Sequence, residues 1–275
     1  MNDSAQQNAC TAPDWTSVDL SDAQLARYSR HILLDAVDLT GQARLLSAHM
    51  LVVGCGGLGS AAIPILAASG VGRLTIIDAD TIEMSNLQRQ VSYRTADVGQ
   101  SKSMTIAKVI EQLNPDVRVR VVNERIGLSE LVQLCSESPV DVMLDCTDNF
   151  ATRHAINRVA VQQHIPLVSG SAVRFDGQIA LYDPRAAHSP CYACAFPAQN
   201  EHAPVSDGAC ATLGIFSPLV GVIGAMQASL ALRVVLGLAD SSIGQLQTYD
   251  ALNGEWLSFG LSKNSECPVC SARAG

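Results

Sequence analysis

Short apolar runs alternate with segments of helical periodicity over the first 170 residues of the chain. The runs predict strands at 50–54, 73–78, 117–122, 140–146 and 165–170. The spacing of apolar positions predicts helices at 21–36, 41–48, 58–69, 101–113, 128–136 and 150–163. Strands that alternate with helices in this way predict a parallel sheet with helices on both faces.

The pattern changes after residue 170. Shorter runs predict strands at 178–183, 247–250 and 255–261, and we expect them to join the sheet in antiparallel fashion. The whole pattern therefore predicts an α/β fold with a Rossmann-like mixed sheet, parallel in its N-terminal part and antiparallel in its C-terminal strands. Because no clean linker interrupts the pattern, we expect residues 17–275 to form a single domain.

One stretch without charged residues, 213–232, is about long enough to cross a bilayer. It contains Gln227 and three glycines, while Pro218 and Gly237 suit the first turn and the end of a helix. We therefore expect a buried core or interface helix, and no membrane-spanning segment.

The charge balance narrows the range of partners. The 18 basic and 26 acidic residues give a formal net charge of −8, which argues against a nucleic-acid partner because phosphate backbones attract basic surfaces. Residues 1–16 are polar and lack the apolar core of a signal peptide, so we expect a disordered tail and a cytoplasmic protein. Nine cysteines in such a chain indicate a reducing compartment, where thiols serve metals or catalysis.

The first predicted strand runs into a glycine-rich turn that contains Gly54, Gly56 and Gly59. The first glycine permits a tight turn, the second lets a phosphate approach the backbone, and the third lets the next helix pack on the strand. The following strand ends in Asp78, where an acid can accept a hydrogen bond from a ribose hydroxyl. The arrangement indicates a nucleotide site rather than a ligand-free turn, and it leaves open whether the nucleotide is a redox cofactor or a reactant.

Polar residues follow the second strand, where loops at strand ends gather around a ligand. They are Asp80, Asn86, Arg89 and Lys102. A single arginine or lysine is usually a solvated charge, but as a group these residues favour a triphosphate, which needs cations to neutralise it. The chain has no Gly-x-x-x-x-Gly-Lys-Ser/Thr sequence, so it is not a P-loop enzyme.

The strand predicted at 140–146 is followed by Asp148 and Asn149, just before a helix. Either residue could cap that helix. The alternative is that Asp148 holds Mg²⁺, which typically binds one or two carboxylates together with substrate phosphates.

Two Cys-x-x-Cys pairs supply four thiolates, Cys191, Cys194, Cys267 and Cys270. Four thiolates complete a tetrahedral Zn²⁺ site and leave no position for substrate, so the metal would be structural. A redox pair or unrelated thiols are the alternatives, but two independent pairs favour zinc.

Together these motifs resemble the ThiF/MoeB/HesA family, bacterial relatives of ubiquitin-activating enzymes. The resemblance covers about residues 21 to 270 in family order. The matching pieces are 27–34, the turn 54–59, 78–80, 85–90, Lys102, 146–149 and the two cysteine pairs. The family usually has glutamine where His31 stands.

Family members adenylate the C-terminal glycine of a small ubiquitin-like sulfur carrier protein. The resemblance therefore implies an ATP-dependent adenylyltransferase that serves thiamine or molybdenum-cofactor biosynthesis, with a persulfide as sulfur donor. The residues it places against the nucleotide are Gly54, Gly56, Gly57, Gly59, Asp78, Asp80, Ser85, Asn86, Leu87, Gln88, Arg89, Lys102, Asp148 and Asn149.

The resemblance also assigns catalytic roles. Arg89 and Lys102 would bind the phosphates, and Asp148 would hold Mg²⁺. Arg30 would reach into the neighbouring subunit's site as an arginine finger, which requires a homodimer. Cys210 stands where some members carry a cysteine that can link to the carrier.

Two other classes of function stay open at this point. A nicotinamide-dependent oxidoreductase would account for the glycine turn and Asp78. A non-catalytic, zinc-stabilised scaffold would keep the fold without the chemistry. A set of charged residues argues against it: Arg30, Arg89, Lys102 and Asp148.

Overall fold

The computed structural model describes residues 20–198 and 213–271 and builds them around one eight-stranded sheet. The spatial order is β3-β2-β1-β4-β5-β6-β7-β8. Strands β1 to β5 pair in parallel and β6 to β8 pair antiparallel, which confirms the predicted mixed sheet. The strands are β1 (His49–Val53), β2 (Arg73–Ile77), β3 (Arg118–Val122), β4 (Val142–Asp145), β5 (Leu167–Val173), β6 (Asp176–Tyr182), β7 (Gln245–Asp250) and β8 (Glu255–Gly260).

Helices cover both faces of the sheet, as the alternation predicts. Successive residues of β1 point to opposite faces, so Met50 and Val52 pack in one apolar cluster and Leu51 and Val53 in another. The helices are α1 (Asp22–Ile32), α2 (Asp38–Ser47), α3 (Gly57–Ala68), α4 (Lys102–Leu113), α5 (Leu128–Glu137), α6 (Phe150–Gln163), α7 (Tyr192–Ala195) and α8 (Ser217–Leu236).

The order of the strands creates a crevice between β1 and β4. From β1 the chain proceeds to β2 on one side, whereas β4 pairs with β1 on the other side. Val53 is in register with Ile77 of β2 and with Asp145 of β4, so these strands end at the same edge. Ligands of open α/β sheets bind at such a switch point, outside the carboxyl ends of the strands.

Helix α8 contains most of the uncharged stretch and packs in the interior of the fold. Pro218 lies in its first turn and Gly237 ends it at φ +74°, as predicted. It is long and apolar enough to cross a membrane, but half of its apolar window is buried. Gln227 is fully buried and donates from Nε2 to the main-chain oxygen of Asp145 at 2.8 Å. These contacts fit the expected core helix.

The first two helices differ from their predicted bounds. Helix α1 ends at Ile32 rather than at residue 36, and Leu33 and Leu34 are exposed. Helix α2 begins earlier than residue 41 because the Asp38 carboxylate accepts hydrogen bonds from the main-chain N–H groups of Thr40 and Gly41. The spacing of apolar residues carries no information about these hydrogen bonds. They favour a break between the two helices over one continuous helix.

The hairpin between β5 and β6 is longer than predicted. Strand β5 ends at Val173 and strand β6 begins at Asp176, and Arg174 in the connection between them has φ +52°. The short helix α7 was not predicted either. The predicted tail, 1–16, lies outside the described residues.

Candidate active site

A cleft of about 530 Å³ opens at the carboxyl edge of β1, β2 and β4. That volume is typical of small-molecule sites. The cleft brings together residues that are far apart in the sequence. The predicted residues that line it are Gly54, Gly56, Gly57, Asp78, Asp80, Asn86, Arg89, Lys102, Asp148 and Asn149.

The three glycines of the turn differ in how much space surrounds them. Gly54 has φ +99°, and a Cβ there would lie 2.7 Å from the main-chain oxygen of Cys146. A Cβ on Gly59 would lie 1.9 Å from the main-chain oxygen of Gly54, so Gly59 is the packing glycine below the turn. By contrast, the nearest atom to a Cβ on Gly56 is Nε2 of Gln90 at 3.8 Å. The backbone is thus open to a ligand at Gly56.

Helix α3 starts at the turn, and no side chain caps its first residues. The first N–H groups of a helix have no partner within the helix and carry partial positive charge. The start of α3 therefore suits a phosphate group.

Asp78 braces the turn from the end of β2. One carboxylate oxygen accepts a hydrogen bond from the N–H of Cys55 at 2.6 Å, and the other accepts from the N–H of Asp80 at 2.7 Å. Burial raises the pKa of the Asp78 carboxyl, and these two hydrogen bonds oppose the rise. Each carboxylate oxygen has a further lone pair that can accept from a ribose hydroxyl.

Positive charge gathers around Asp80. Lys102 is 7% exposed, and its Nζ lies 3.1 Å from a carboxylate oxygen of Asp80. The guanidinium of Arg125 lies 3.8 Å from the other oxygen and is well exposed. Sequence reasoning missed Arg125, although it follows β3 at the same edge of the sheet, and that position could have indicated it.

The segment after β2 carries two more side chains that line the cleft. Arg89 donates to the main-chain oxygen of Ser85 at 3.0 Å, which steadies its guanidinium. Gln90 is 2% exposed, and its Oε1 has no hydrogen-bond partner among the described residues. The motif pointed to this segment, but it did not single out Gln90.

Four of the predicted nucleotide residues do not line the cleft. Gly59 lies beneath the turn, and Leu87 packs against the apolar core. Ser85 accepts the Arg89 contact through its main-chain oxygen, and Gln88 accepts a hydrogen bond from the Ser217 hydroxyl through its own. Gly59 supports the glycine turn and the other three residues support the segment after β2, and none of the four lines the cleft.

Asp148 and Asn149 have separate roles at the start of α6. Asn149 caps the helix, because its Oδ1 accepts from the N–H of Thr152 at 2.8 Å. Asp148 is exposed in the cleft, and within the described residues its carboxylate accepts no hydrogen bond. An exposed carboxylate that lines the cleft is the type of oxygen ligand that Mg²⁺ prefers.

The four predicted zinc ligands converge. Sγ–Sγ distances are 3.9 Å between Cys191 and Cys194, 3.6 Å between Cys191 and Cys267, and 3.5 Å between Cys194 and Cys270. Four sulfurs placed about 2.3 Å from one zinc ion in a tetrahedron would lie about 3.8 Å apart. The cluster therefore fits a structural Cys₄ zinc site that ties the C-terminal segment to the body of the protein.

Of the predicted catalytic residues that the structure describes, Arg30 alone does not line the cleft. Arg30 lies in the last turn of α1, exposed, and it does not line the cleft of its own chain. Cys210 lies outside the described residues.

Comparison with known proteins decides the family. Residues 28–269 match the ThiF family model. The chain belongs to the ThiF family. The SAMP-activating enzyme E1 of Haloferax volcanii is 42% identical over 254 residues, which are 92% of this chain and 92% of that relative.

Two relatives of this ThiF-family protein come from Escherichia coli. The sulfur carrier protein ThiS adenylyltransferase is 39% identical and covers 91% of this chain and 97% of its own length. The molybdopterin-synthase adenylyltransferase is 38% identical and covers 92% of this chain and 98% of its own length. Both alignments run over nearly the whole of each protein.

Solved structures support the fold of this ThiF-family protein. The crystal structure of E. coli MccB with ATP superimposes with a TM-score of 0.74 at 24% sequence identity. The match covers 89% of this chain and 73% of MccB.

Proposed function

We propose that this ThiF-family protein is an ATP-dependent adenylyltransferase that activates the C-terminal glycine carboxylate of a small ubiquitin-like sulfur carrier protein. The observation that carries the proposal is the cleft itself. It combines a glycine turn that is open to phosphate with the cations Arg89 and Lys102 and with the exposed carboxylate of Asp148. The names of the two E. coli relatives support the same activity.

The proposed reaction explains why the cleft is rich in charge. The carrier carboxylate attacks the α-phosphorus of ATP, an oxygen–phosphorus bond forms, and the bond to the β-phosphate oxygen breaks to release pyrophosphate. The nucleophile is already ionised, so no general base is needed. The main obstacle is repulsion between anions, and Arg89 and Lys102 reduce it by neutralising the phosphates.

The remaining residues orient the nucleotide. Asp78 accepts hydrogen bonds from the ribose, and the N–H groups at the start of α3 bind a phosphate. Asp148 would hold Mg²⁺, which supplies positive charge to the phosphates when it is bound. The four thiolates would hold Zn²⁺ away from the reacting atoms, as a structural element.

Three further parts of the proposal concern partners. Arg30 acts on the cleft of a neighbouring subunit, so the protein works as a homodimer. A persulfide donor supplies sulfur to the acyl-adenylate, and Cys210 provides a thiol that can link to the carrier. We place the protein in the cytoplasm and treat residues 17–275 as its adenylation domain.

Adenylation of purified carriers tests the proposal and its range. We expect Mg·ATP and this protein to convert a thiazole-pathway or a molybdopterin-pathway carrier to its acyl-adenylate, seen by intact-protein mass spectrometry. A carrier that lacks its terminal glycine is the matched control and should stay unmodified. If neither intact carrier gained an adenylate, the proposed function would be wrong.

Thermal stabilisation separates this function from a nicotinamide-dependent oxidoreductase. Ligands that bind the folded state raise its melting temperature. We expect Mg·ATP to stabilise the protein and NAD or NADH to leave it unchanged. The reverse result would favour the oxidoreductase, and no effect of any nucleotide would favour a non-catalytic scaffold.

A further inference from the structure

Arg153 of α6 lines the cleft and joins the turn after β4 to the middle of β5. Its side chain is nearly buried, and NH2 donates to the main-chain oxygen of Thr147 at 2.5 Å and to that of Gly170 at 3.0 Å. Its Nε lies 3.9 Å from the carboxylate of Asp145, which is 1% exposed. A buried ion pair with several hydrogen bonds specifies one local geometry, because breaking it leaves a charge without a partner.

The same contacts fix the residue that precedes Asp148. The Asp145 carboxylate accepts from the main-chain N–H of Thr147 at 3.0 Å and from its hydroxyl at 2.7 Å. Its second oxygen accepts from the Ser169 hydroxyl at 2.8 Å. Thr147 is therefore held through its nitrogen, its hydroxyl and its carbonyl. Asp148 makes no such hydrogen bond within the described residues, so it takes its position from Thr147.

On its other side Arg153 meets the zinc-binding segment. Tyr192 stands between the ligands Cys191 and Cys194, and its ring packs edge-on against His154, the residue after Arg153, with ring centroids 5.3 Å apart. Its hydroxyl interacts electrostatically with the Arg153 guanidinium. The main-chain N–H of Tyr192 donates to Oδ1 of Asn157 at 2.9 Å. Nδ2 of the same asparagine lies 3.6 Å from the Cys191 sulfur. Helix α6 is thus fastened both to a zinc ligand and to the residue beside it.

The zinc-binding segment also forms part of the cleft wall. Tyr192 and Phe196 both line the cleft, and their ring centroids are 5.0 Å apart. A continuous set of contacts therefore runs from the four sulfurs through Tyr192 and Arg153 to the turn that carries Asp148.

We propose that Tyr192 and Arg153 are positioning residues that couple the Cys₄ site to the nucleotide site, so that zinc binding and Mg-nucleotide binding strengthen each other. The proposal rests on the proposed function, because it takes the cleft to be a nucleotide site. With zinc bound, Cys191 and Cys194 would fix Tyr192 beside Arg153. Arg153 holds Thr147, and Thr147 presents Asp148 to the Mg-nucleotide. Thermodynamic linkage requires that the effect be reciprocal, so a bound nucleotide also raises the affinity for zinc.

Zinc affinity measures this coupling without reference to catalysis. The zinc-loaded protein is titrated with a chromophoric chelator, with and without saturating Mg²⁺ and an ATP analogue whose α–β bridge is a methylene group. Calorimetry on the same samples records whether the analogue binds. We expect the analogue to raise the zinc affinity of the unaltered protein about tenfold, within the usual range of coupling between sites.

Two tyrosine variants isolate the contact. Replacement of Arg153 would leave the buried Asp145 carboxylate without its cation and could unfold the protein, so Tyr192→Phe is the better variant. Tyr182→Phe is its control, because that ring lies 6.0 Å from Tyr192 and its buried hydroxyl has no hydrogen-bond partner among the described residues. We expect Tyr192→Phe to bind zinc but to lose most of the tenfold effect, and Tyr182→Phe to keep it.

The possible outcomes distinguish failure of the coupling from failure of the proposed function. If the analogue binds and zinc affinity does not change, the coupling is wrong while the proposed function stands. If Tyr192→Phe keeps the full effect, the assigned route is wrong. If calorimetry detects no binding to the unaltered protein, both the coupling and the proposed function are overturned.

Discussion

At the scale of single residues, Asn149 caps α6 while its neighbour Asp148 is exposed in the cleft. The pattern identified both residues, but either one could cap the helix, because both side chains accept hydrogen bonds from N–H groups. The structure assigns the cap to Asn149 and leaves Asp148 exposed in the cleft. The sequence pattern did not identify Arg125 and Arg153 as site residues, because a lone arginine in a sequence is usually a solvated charge. Their partners Asp80 and Asp145 are 45 and 8 residues away in the chain.

Substitution of Asp148 tests its role directly. Asp148→Asn keeps the shape of the side chain and removes its charge, so we expect carrier-dependent adenylation to fall by about a hundredfold or more. Because the carboxylate accepts no hydrogen bond in the described part of the chain, the free energy of unfolding should change by only about 0.5 kcal/mol. Glu111→Gln, the same chemical change on the exposed side of α4, is the control and should leave both quantities unaltered. An Asp148→Asn variant with normal activity would remove Asp148 from the site.

At the scale of elements, the strand–turn–helix unit from β1 to α3 was predicted nearly in full. Each of the three motif glycines is required for a different physical reason. In the structure Gly54, Gly56 and Gly59 accordingly have different surroundings. The boundary between α1 and α2 was predicted poorly, since the Asp38 carboxylate decides it through local hydrogen bonds. Helix α7 was not predicted, because four residues carry no periodicity.

Two glycine-to-alanine variants distinguish the packing role of Gly59 from the role of Gly56 in ligand binding. Gly59→Ala places a methyl group against the main-chain oxygen of Gly54, and we expect the free energy of unfolding to fall by about 3 kcal/mol. Gly56→Ala meets no close atom, so its stability should change by about 1 kcal/mol or less. That methyl group should nevertheless weaken binding of Mg·ATP about tenfold, because it obstructs one charge-assisted hydrogen bond from the backbone. Denaturant unfolding and calorimetry measure the two effects, and equal stability losses in both variants would refute this division of roles.

At the scale of the whole molecule, alternation of strands and helices was enough to predict the parallel core and its two helical layers. The cysteine spacing predicted a closed metal site, although its two halves lie 76 residues apart between Cys191 and Cys267. Arg30 lies outside the cleft of its own chain, so its proposed role depends on a second copy of the protein.

Mixing two inactive variants tests whether Arg30 acts on the neighbouring subunit. Arg30→Ala and Asp148→Asn should each lower adenylation by about a hundredfold or more when assayed alone. In a mixed dimer, the Arg30→Ala subunit keeps Asp148 and receives Arg30 from its partner, so one of the two sites is complete. After random exchange of subunits in equal amounts we expect about a quarter of normal activity, since half of the symmetric dimers would be mixed. If the mixture stays inactive although mass spectrometry detects mixed dimers, Arg30 does not act in this way.

The most direct test of the central claim is ATP–pyrophosphate exchange in the presence of a purified sulfur carrier protein. Cleavage of ATP between its α- and β-phosphates by the carrier carboxylate predicts rapid exchange of labelled pyrophosphate into ATP. The exchange should require Mg²⁺ and the terminal glycine of the carrier, and it should disappear in Asp148→Asn. No exchange with either type of carrier, or equal exchange without any carrier, would contradict the account.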